Sequence, residues 1–146
     1  MLKQTISITR ITKSPAETQK LGADLAKLIK PPCIIALHSD LGGGKTTFVQ
    51  GIAKGLGIKE KVISPTFVLE KIYAIPKKKF SFYHYDVYRL KADPMLIAEI
   101  LENAENNLVV IEWADKIKKY LPKTTLWINI AEIKDNQRKF QINANI

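Results

Sequence analysis

The residues whose types and spacing could do chemistry begin in the stretch 39–47, which reads Ser-Asp-Leu-Gly-Gly-Gly-Lys-Thr-Thr. It follows the apolar run 34–37 and precedes a second apolar segment that starts at Phe48. A buried strand, a glycine-rich turn carrying Lys-Thr and a helix start, in this order, are typical of a phosphate-binding loop. The backbone N–H groups of the glycines wrap a phosphate, and the helix adds the positive end of its dipole. The stretch therefore predicts nucleotide binding.

Each side chain of such a loop has its own task. Lys45 is expected to reach the outer phosphates and the Thr46 hydroxyl to ligate magnesium. The full signature has glycine where this chain has Ser39, a small residue that we expect to be tolerated. A glycine turn that merely holds Lys-Thr is disfavoured, because motif, strand and helix coincide. The predicted nucleotide-binding residues are Asp40, Leu41, Gly42, Gly43, Gly44, Lys45, Thr46 and Thr47.

A phosphate loop also needs a carboxylate at the tip of a neighbouring strand, to hold magnesium and to position the attacking nucleophile. The apolar run 108–111 ends in Glu112, which is our first candidate for the metal. Asp86 is the second, and in a strand it points to the same side as His84, so that both could face the phosphates. Two other interpretations stay open: Glu112 as a solvent-facing strand end, and His84 as a hydrogen-bonded structural residue.

Thr66 is a third candidate for catalysis, in the segment 64–67 with the sequence Ser-Pro-Thr-Phe. Nucleotide switches place a threonine shortly after the loop helix, where it senses the last phosphate and its magnesium. An ordinary turn is the alternative interpretation of this segment.

The elements that must position these residues follow from hydrophobic periodicity and turn signals. Ser14-Pro15 with Glu17 predicts a capped helix start, and Asp93-Pro94 predicts another. Strands are predicted at 4–11, 34–37, up to Tyr73, from Phe80 to Val87, and at 108–111, 124–130 and 139–142, with helices after Ser14, after the loop, after Asp93 and at 114–121. The helix faces expected to be buried comprise Leu21, Leu25, Leu28 and Ile29, then Phe48, Val49, Ile52 and Leu56, then Met95, Ile97, Ile100, Leu101 and Ala104.

The chain has 146 residues, which predicts a single domain over 1–146. Its apolar runs are far shorter than the ~20 residues of a membrane-spanning helix, and its start lacks a signal-peptide pattern. With the single cysteine, Cys33, expected to be a small buried hydrophobe, this indicates a cytoplasmic protein without membrane association. The net charge of +9 fits either a polyanionic partner such as RNA or a solvated lysine-rich surface, since no aromatics interleave the lysines.

Four motifs in register resemble the TsaE family, the P-loop ATPases of bacterial tRNA threonylcarbamoyladenosine biosynthesis. They are Asp-Leu-Gly-Gly-Gly-Lys-Thr-Thr from Asp40, Ser-Pro-Thr-Phe from Ser64, His-Tyr-Asp-Val-Tyr-Arg from His84 and Ile-Glu-Trp from Ile111. The resemblance implies an α/β fold: a P-loop NTPase-like three-layer sandwich, whose mixed, mostly parallel sheet has helices on both faces and antiparallel hairpin strands.

The resemblance also implies a function and a set of roles. ATP and Mg²⁺ would be the cofactors of a hydrolase that keeps the TsaB–TsaD transferase complex turning over, with tRNA met through that complex. Lys45 and Thr46 would hold phosphates and magnesium, Glu112 would be the second metal-side group, and Asp86 and Thr66 would serve turnover. Trp113 would flank the site. The strands from Thr124 onward carry little family signature, and we expect them to supply part of the nucleotide pocket with Arg138. The departures are Ser39 and the pair Ala114-Asp115, where proline often follows the tryptophan.

The sequence leaves three classes of function open: a partner-stimulated ATPase, a small-molecule kinase and a non-catalytic module. No arginine finger lies beside the loop in sequence, which predicts hydrolysis that is slow alone and stimulated by partners. A small-molecule kinase could use the same loop, although the chain has just three arginines, at 10, 89 and 138, to clamp a donor. A non-catalytic, nucleotide-dependent RNA or assembly module is the third, and weak self-association of the free chain is left open.

Overall fold

The computed structural model describes residues 5–39, 44–63, 70–88 and 93–145, the side chains of residues 5 and 145 excepted. The elements follow the predicted order, with the two strands at the C-terminal end longer than expected. They are β1 (Thr5–Thr12), α1 (Pro15–Leu28), β2 (Cys33–Ser39), α2 (Lys45–Gly55), β3 (Glu70–Ala74), β4 (Ser81–Asp86), α3 (Pro94–Ala104), β5 (Leu108–Glu112), a 3-10 helix (Ala114–Tyr120), β6 (Leu126–Lys134) and β7 (Gln137–Asn145).

Seven strands of the described chain form a sheet with the order β1-β7-β6-β2-β5-β4-β3. The four central strands, β6, β2, β5 and β4, run parallel to one another. The outer pairings, β1 with β7, β6 with β7 and β3 with β4, are antiparallel. This confirms the predicted α/β class with a mixed sheet, and it brings the carboxyl ends of β2, β4 and β5 to one edge.

Apolar clusters cover both faces of the sheet. On one face, Phe48, Val49 and Ile52 of α2 are fully buried in a cluster that also contains Leu37 and Val110. On the other face, α3 and the 3-10 helix pack through a second cluster. It includes Ile97, Ile100, Ile111 and Ile117. Since side chains alternate along a strand, the central strands β2, β4 and β5 each send one set of residues to the α2 face and the other set to the α3 face.

The predicted helix caps are confirmed. The amide of Glu17 donates to the Ser14 hydroxyl at 3.1 Å, and the amide of Met95 donates to Asp93 at 3.0 Å. The Glu17 carboxylate accepts from the amide of Lys13 at 2.7 Å, one residue before the partner of an ordinary capping box. These local signals set where α1 and α3 begin.

Two residues expected on buried helix faces are exposed, and those predictions are wrong. Leu28 is 80% exposed and Met95 is 82% exposed. Leu28 is the last residue of α1 and Met95 lies in the first turn of α3, so both stand at helix ends beyond the packed centre. In α1 the buried positions are small or polar instead: Thr18, Gly22 and Ala26.

Small residues let α1 and α2 approach closely. A Cβ placed on Gly55 would lie 2.5 Å from the carbonyl oxygen of Ala23, and one on Gly51 would collide with the backbone of Gln19. The close crossing fixes α2, and with it the start of α2 at the glycine-rich loop. Among the described helices, none is long and apolar enough to cross a membrane.

Candidate functional site

The start of α2 is shaped by Gly44, the last residue of the glycine-rich loop. Gly44 has φ of 89°, a left-handed conformation that glycine adopts without a steric penalty. Helix α2 begins at Lys45, and the amide of Phe48 donates to the carbonyl of Gly44 at 3.0 Å. No side chain caps the first turn of α2, and the start of a helix is a position that favours an anion.

The Lys45 side chain lies folded between the end of β2 and the end of β5. Its Nζ donates to the Ser39 hydroxyl at 3.3 Å and lies 4.4 Å from the centre of the Trp113 ring. Both Lys45 and Ser39 are buried. Trp113 takes a left-handed conformation, with φ of 61°, directly after β5. Trp113, which we expected to flank the site, therefore contacts the side chain of Lys45 directly.

The two candidate acids are neighbours across adjacent parallel strands. Asp86 ends β4, Glu112 ends β5, and the two are Cα partners in the register. Both side chains are buried, at 4% and 2% exposure. The alternation that sends Phe82 and Val110 into the cluster beneath α2 sends Asp86 and Glu112 to that same side. A solvent-facing Glu112 is therefore excluded.

His84 joins this group from the middle of β4. It is fully buried, and its Nε2 lies 2.5 Å from Oε2 of Glu112. Its ring centre also lies 6.1 Å from that of Phe82. The alternation places His84 on the same face as Asp86, as predicted, and its contact with Glu112 makes it a hydrogen-bonded residue within the candidate site.

Backbone contacts tie the ends of these strands together. The amide of Tyr88 donates to Oδ1 of Asp86 at 2.8 Å, and the amide of Val87 donates to the carbonyl of Glu112 at 3.2 Å. The Tyr88 ring lies 4.7 Å from the Trp113 ring. The orientation of Asp86 is thus set by a turn of its own chain. Sequence reasoning did not single out Tyr88, although it lies two residues after Asp86 in the same motif.

Arg138 lies beside Gly44. Its strand, β7, is on the opposite side of β2 from the strands that carry Asp86 and Glu112. A Cβ built on Gly44 would lie 3.5 Å from Nε of Arg138, and Arg138 pairs with Glu132 at 3.3 Å. A small cleft here is lined by Gly44, Arg138, Ser14 before α1, Thr18 of α1, Thr47 of α2 and Asn136 of the β6–β7 turn. The structure therefore brings Arg138 beside Gly44, while Ser14, Thr18 and Asn136 were not predicted to lie there because two segments far from the loop in sequence supply them.

Several predicted site residues lie outside the described residues. These are Asp40, Leu41, Gly42 and Gly43 of the loop, and Thr66. Of the remaining loop residues, Thr46 and Thr47 are half-buried in the first turn of α2. Within the described ranges, no three His, Cys, Asp or Glu side chains form a cluster that could hold a metal by themselves.

The charges of the described site suit a metal-bound nucleoside polyphosphate. Lys45, Arg138 and the first turn of α2 offer positive charge and N–H donors, which is what phosphates require. Asp86 and Glu112 offer the hard oxygen ligands that Mg²⁺ prefers, one or two at a time with phosphate and water oxygens completing the shell.

A model of the family described as "Threonylcarbamoyl adenosine biosynthesis protein TsaE" matches residues 12–140. The chain belongs to the TsaE family. It is 39% identical over 137 residues to the tRNA threonylcarbamoyladenosine biosynthesis protein TsaE of Rickettsia felis, covering 92% of this chain and 79% of that protein. It is 36% identical over 138 residues to the TsaE of Bacillus subtilis, covering 91% and 83%.

The fold has a relative among solved structures. The crystal structure of YdiB from Bacillus subtilis superposes with a TM-score of 0.80 and 32% sequence identity, covering 97% of this chain and 87% of that one. The family resemblance and the fold predicted from the sequence are thus confirmed. For a TsaE-family chain, the pathway is the biosynthesis of threonylcarbamoyladenosine in tRNA.

Proposed function

We propose that this chain is a magnesium-dependent ATPase that acts with the TsaB–TsaD transferase complex in tRNA threonylcarbamoyladenosine formation. The observation that carries the proposal is the position of Lys45, at the first turn of α2, on the side of the sheet where the buried acids Asp86 and Glu112 end adjacent strands. A cation and two carboxylates at the carboxyl edge of a parallel sheet are the components of phosphoryl transfer to water.

Lys45 and the N–H groups of the first turn of α2 hold and orient the phosphates in this proposal. Thr46, next to Lys45, offers its hydroxyl to the metal, and Arg138 contributes a second positive charge beside Gly44. Magnesium, when bound, neutralises phosphate charge that would otherwise oppose attack by water. Trp113 limits where Lys45 can go, because the ring packs against its ammonium group.

Glu112 and Asp86 hold the metal side and orient the attacking water. Because Glu112 is fixed by His84, and Asp86 by the amide of Tyr88, neither carboxylate needs to reorganise when substrate binds. Thr66 is proposed to sense the last phosphate. Catalysis then comes from positioning and charge rather than from a covalent intermediate.

The proposed dependence on partners follows from the position of Arg138 in the described site. Arg138 stands beside Gly44 and is bound to Glu132, and its strand β7 lies on the other side of β2 from β5 and β4, which carry the two acids. P-loop enzymes without an arginine finger hydrolyse slowly, by a factor of about 10³–10⁵. We therefore propose slow turnover by the free chain and faster turnover in the TsaB–TsaD complex.

Phosphate release, measured alone and with the TsaB–TsaD complex plus tRNA, tests the proposal. Lys45→Ala and Glu112→Ala should abolish the stimulated rate. Lys54→Ala is the matched control, because Lys54 lies on the same helix but its ammonium binds Gln19 at 2.9 Å, at the far end from the loop. Stimulated release that survives both site substitutions would overturn the assignment, and a rate unaffected by the complex would overturn the partnership.

A further inference from the structure

One half of the sheet is uncovered on the face that carries α3. Over β4, β5 and β2 this face packs beneath α3 and the 3-10 helix. Over β6 and β7, the same face presents Asn129 and Asn143, which are half-buried, and Gln141 and Lys139, which are exposed. No described helix packs over these four side chains, and their polarity suits contact with a polar ligand rather than burial.

A cleft of about 360 Å³ lies where the uncovered half meets the 3-10 helix. Its floor is Trp127, half-buried, which is the Cα partner of Asn143 across the β6–β7 pair. One wall is His38, whose Nδ1 lies 3.1 Å from Oδ1 of Asp115. The cleft is lined by His38, Asp115, Lys118, Trp127, Asn129 and Asn143.

The chemistry of this lining matches an unpaired nucleotide. The Trp127 indole offers a flat apolar surface for a base, and stacking on an aromatic ring is how proteins hold single-stranded nucleic acid. Asn129 and Asn143 each carry a donor and an acceptor, as is needed to bind the edge of a base. The ammonium of Lys118 lies over the Trp127 ring, 5.4 Å from its centre, so a base that stacks on this face displaces the ammonium towards the phosphate of the same nucleotide.

The charge around the cleft favours a polyanion over a protein segment. Lys118 lines the cleft and Lys139 is exposed on the same face of the sheet, while the acid of the lining, Asp115, faces His38. The whole chain has a net charge of +9. Protein-binding surfaces have an apolar centre with few charges, whereas Trp127 is the one large apolar side chain in this lining.

We propose that this cleft, over β6, β7 and the 3-10 helix, is a binding site for single-stranded RNA, with a base stacked on Trp127 and a phosphate on Lys118. The site lies on the opposite face of the sheet from α2 and the candidate acids, so its residues can be substituted without touching the groups proposed to hold the nucleotide. It gives a member of a tRNA-modification family a direct contact with RNA.

Tryptophan fluorescence tests the site, because the chain has two tryptophans, Trp113 and Trp127. In a Trp113→Phe variant, Trp127 alone emits, and titration with oligoadenylate RNA should quench it with an affinity that falls as salt is raised. Lys118→Gln should weaken binding several-fold and reduce the salt dependence by about one ion. Lys27→Gln, an equal loss of charge on exposed α1, should leave binding unchanged.

A second variant guards against misfolding. Trp127→Phe keeps an aromatic surface and should retain most of the affinity, whereas Trp127→Ala should lose about tenfold or more. Lys45→Ala should bind RNA normally, so failure of the RNA site and failure of the ATPase proposal are distinguishable. The proposal would be overturned if RNA did not quench the fluorescence, or if Lys118→Gln and Lys27→Gln had equal effects. It would also be overturned if Trp127→Ala lost binding to TsaB–TsaD but kept its binding to RNA.

Discussion

Nε2 of His84 lies 2.5 Å from Oε2 of Glu112, and both side chains are almost completely buried. The two residues lie on adjacent parallel strands, and Glu112 is the Cα partner of Asp86 at the ends of those strands. A buried carboxylate without a hydrogen-bond donor would be costly, so His84 stabilises Glu112 and fixes its orientation at once. Glu112 therefore faces the same side of the sheet as α2, and its Oε2 is already bound to His84.

This pair leads to a prediction about turnover. His84→Phe should lower kcat of the partner-stimulated ATPase by about tenfold or more, because Glu112 loses its donor and its fixed orientation. Nucleotide affinity should change little, since His84 does not lie among the groups proposed to hold phosphates. Steady-state kinetics together with titration of a fluorescent nucleotide separate the two effects.

Rescue by a conservative variant distinguishes positioning from folding. In His84→Gln the side-chain amide can still donate to Glu112, so it should recover part of the lost kcat. Equal loss in both variants, with a matching fall in thermal stability, would mean that His84 serves the core alone.

The second prediction concerns Ser39, which stands where the P-loop signature has glycine. Lys45 donates to the Ser39 hydroxyl at 3.3 Å, and a lysine that binds phosphate has to exchange such a contact. Ser39→Ala should therefore strengthen ATP binding, by at most about fivefold for a bond worth roughly 1 kcal/mol. Isothermal titration with a non-hydrolysable ATP analogue measures this directly.

Ser39→Gly completes the comparison, because it removes the same hydroxyl and also restores the residue of the full signature. Its affinity should be close to that of Ser39→Ala, since Ser39 ends β2 in a strand conformation that does not require glycine. Weaker binding in both variants would show that the hydroxyl assists the loop rather than competing for Lys45.

Local signals account for what could be predicted from the sequence. Ser14 and Asp93 cap helices because a side-chain oxygen can reach an amide two or three residues on, whatever the rest of the fold does. Glu112 could be chosen because an apolar run that ends in an acid defines a strand tip. Lys45 and Gly44 were found because their loop chemistry is contained in a few consecutive residues.

Contacts between distant segments account for what was missed. The His84–Glu112 contact joins residues 28 positions apart and depends on the pairing of β4 with β5. Trp127 meets Lys118 only because β6 returns beside β2, so no stacking surface was visible in the sequence. Leu28 followed helical periodicity, but it is the last residue of α1 and is 80% exposed there.

The third prediction concerns the single cysteine. Burial raises the pKa of the Cys33 thiol to about 11, so very little thiolate exists near neutral pH. Reaction with a thiol reagent at about pH 8 should be at least tenfold slower for the folded chain than for the chain in urea. The rate should rise with pH towards about 11.

The sign of the linkage gives an independent check on Cys33. Because the folded-state pKa is raised, the folded chain holds the proton more tightly than the unfolded chain. The stability that this contributes is complete below about pH 8.5, the ordinary thiol value, and is lost as pH rises through about 11. Cys33→Ser should flatten that part of the stability profile; rapid labelling at neutral pH would contradict the expectation.

The fourth prediction concerns the close crossing of α1 and α2. A Cβ on Gly51 would meet the backbone of Gln19, including its Cα at 2.7 Å, and backbone cannot move aside as a flexible side chain can. Gly51→Ala should therefore reduce the free energy of unfolding by about 2–3 kcal/mol, even though alanine favours helix by about 1 kcal/mol over glycine. Urea denaturation followed by circular dichroism measures the change.

Gly57 is the control position, because a side chain there would have space and the constraint on the residue is its positive φ. A Cβ there would lie 4.0 Å from Pro76, but φ is 82°, a conformation that asparagine tolerates better than alanine. Gly57→Asn should thus be close to neutral, while Gly57→Ala costs about 1 kcal/mol through backbone strain alone. If Gly51→Ala is as stable as the parent chain, the helices do not cross at the distance described, and the start of α2 is held at the loop by other contacts.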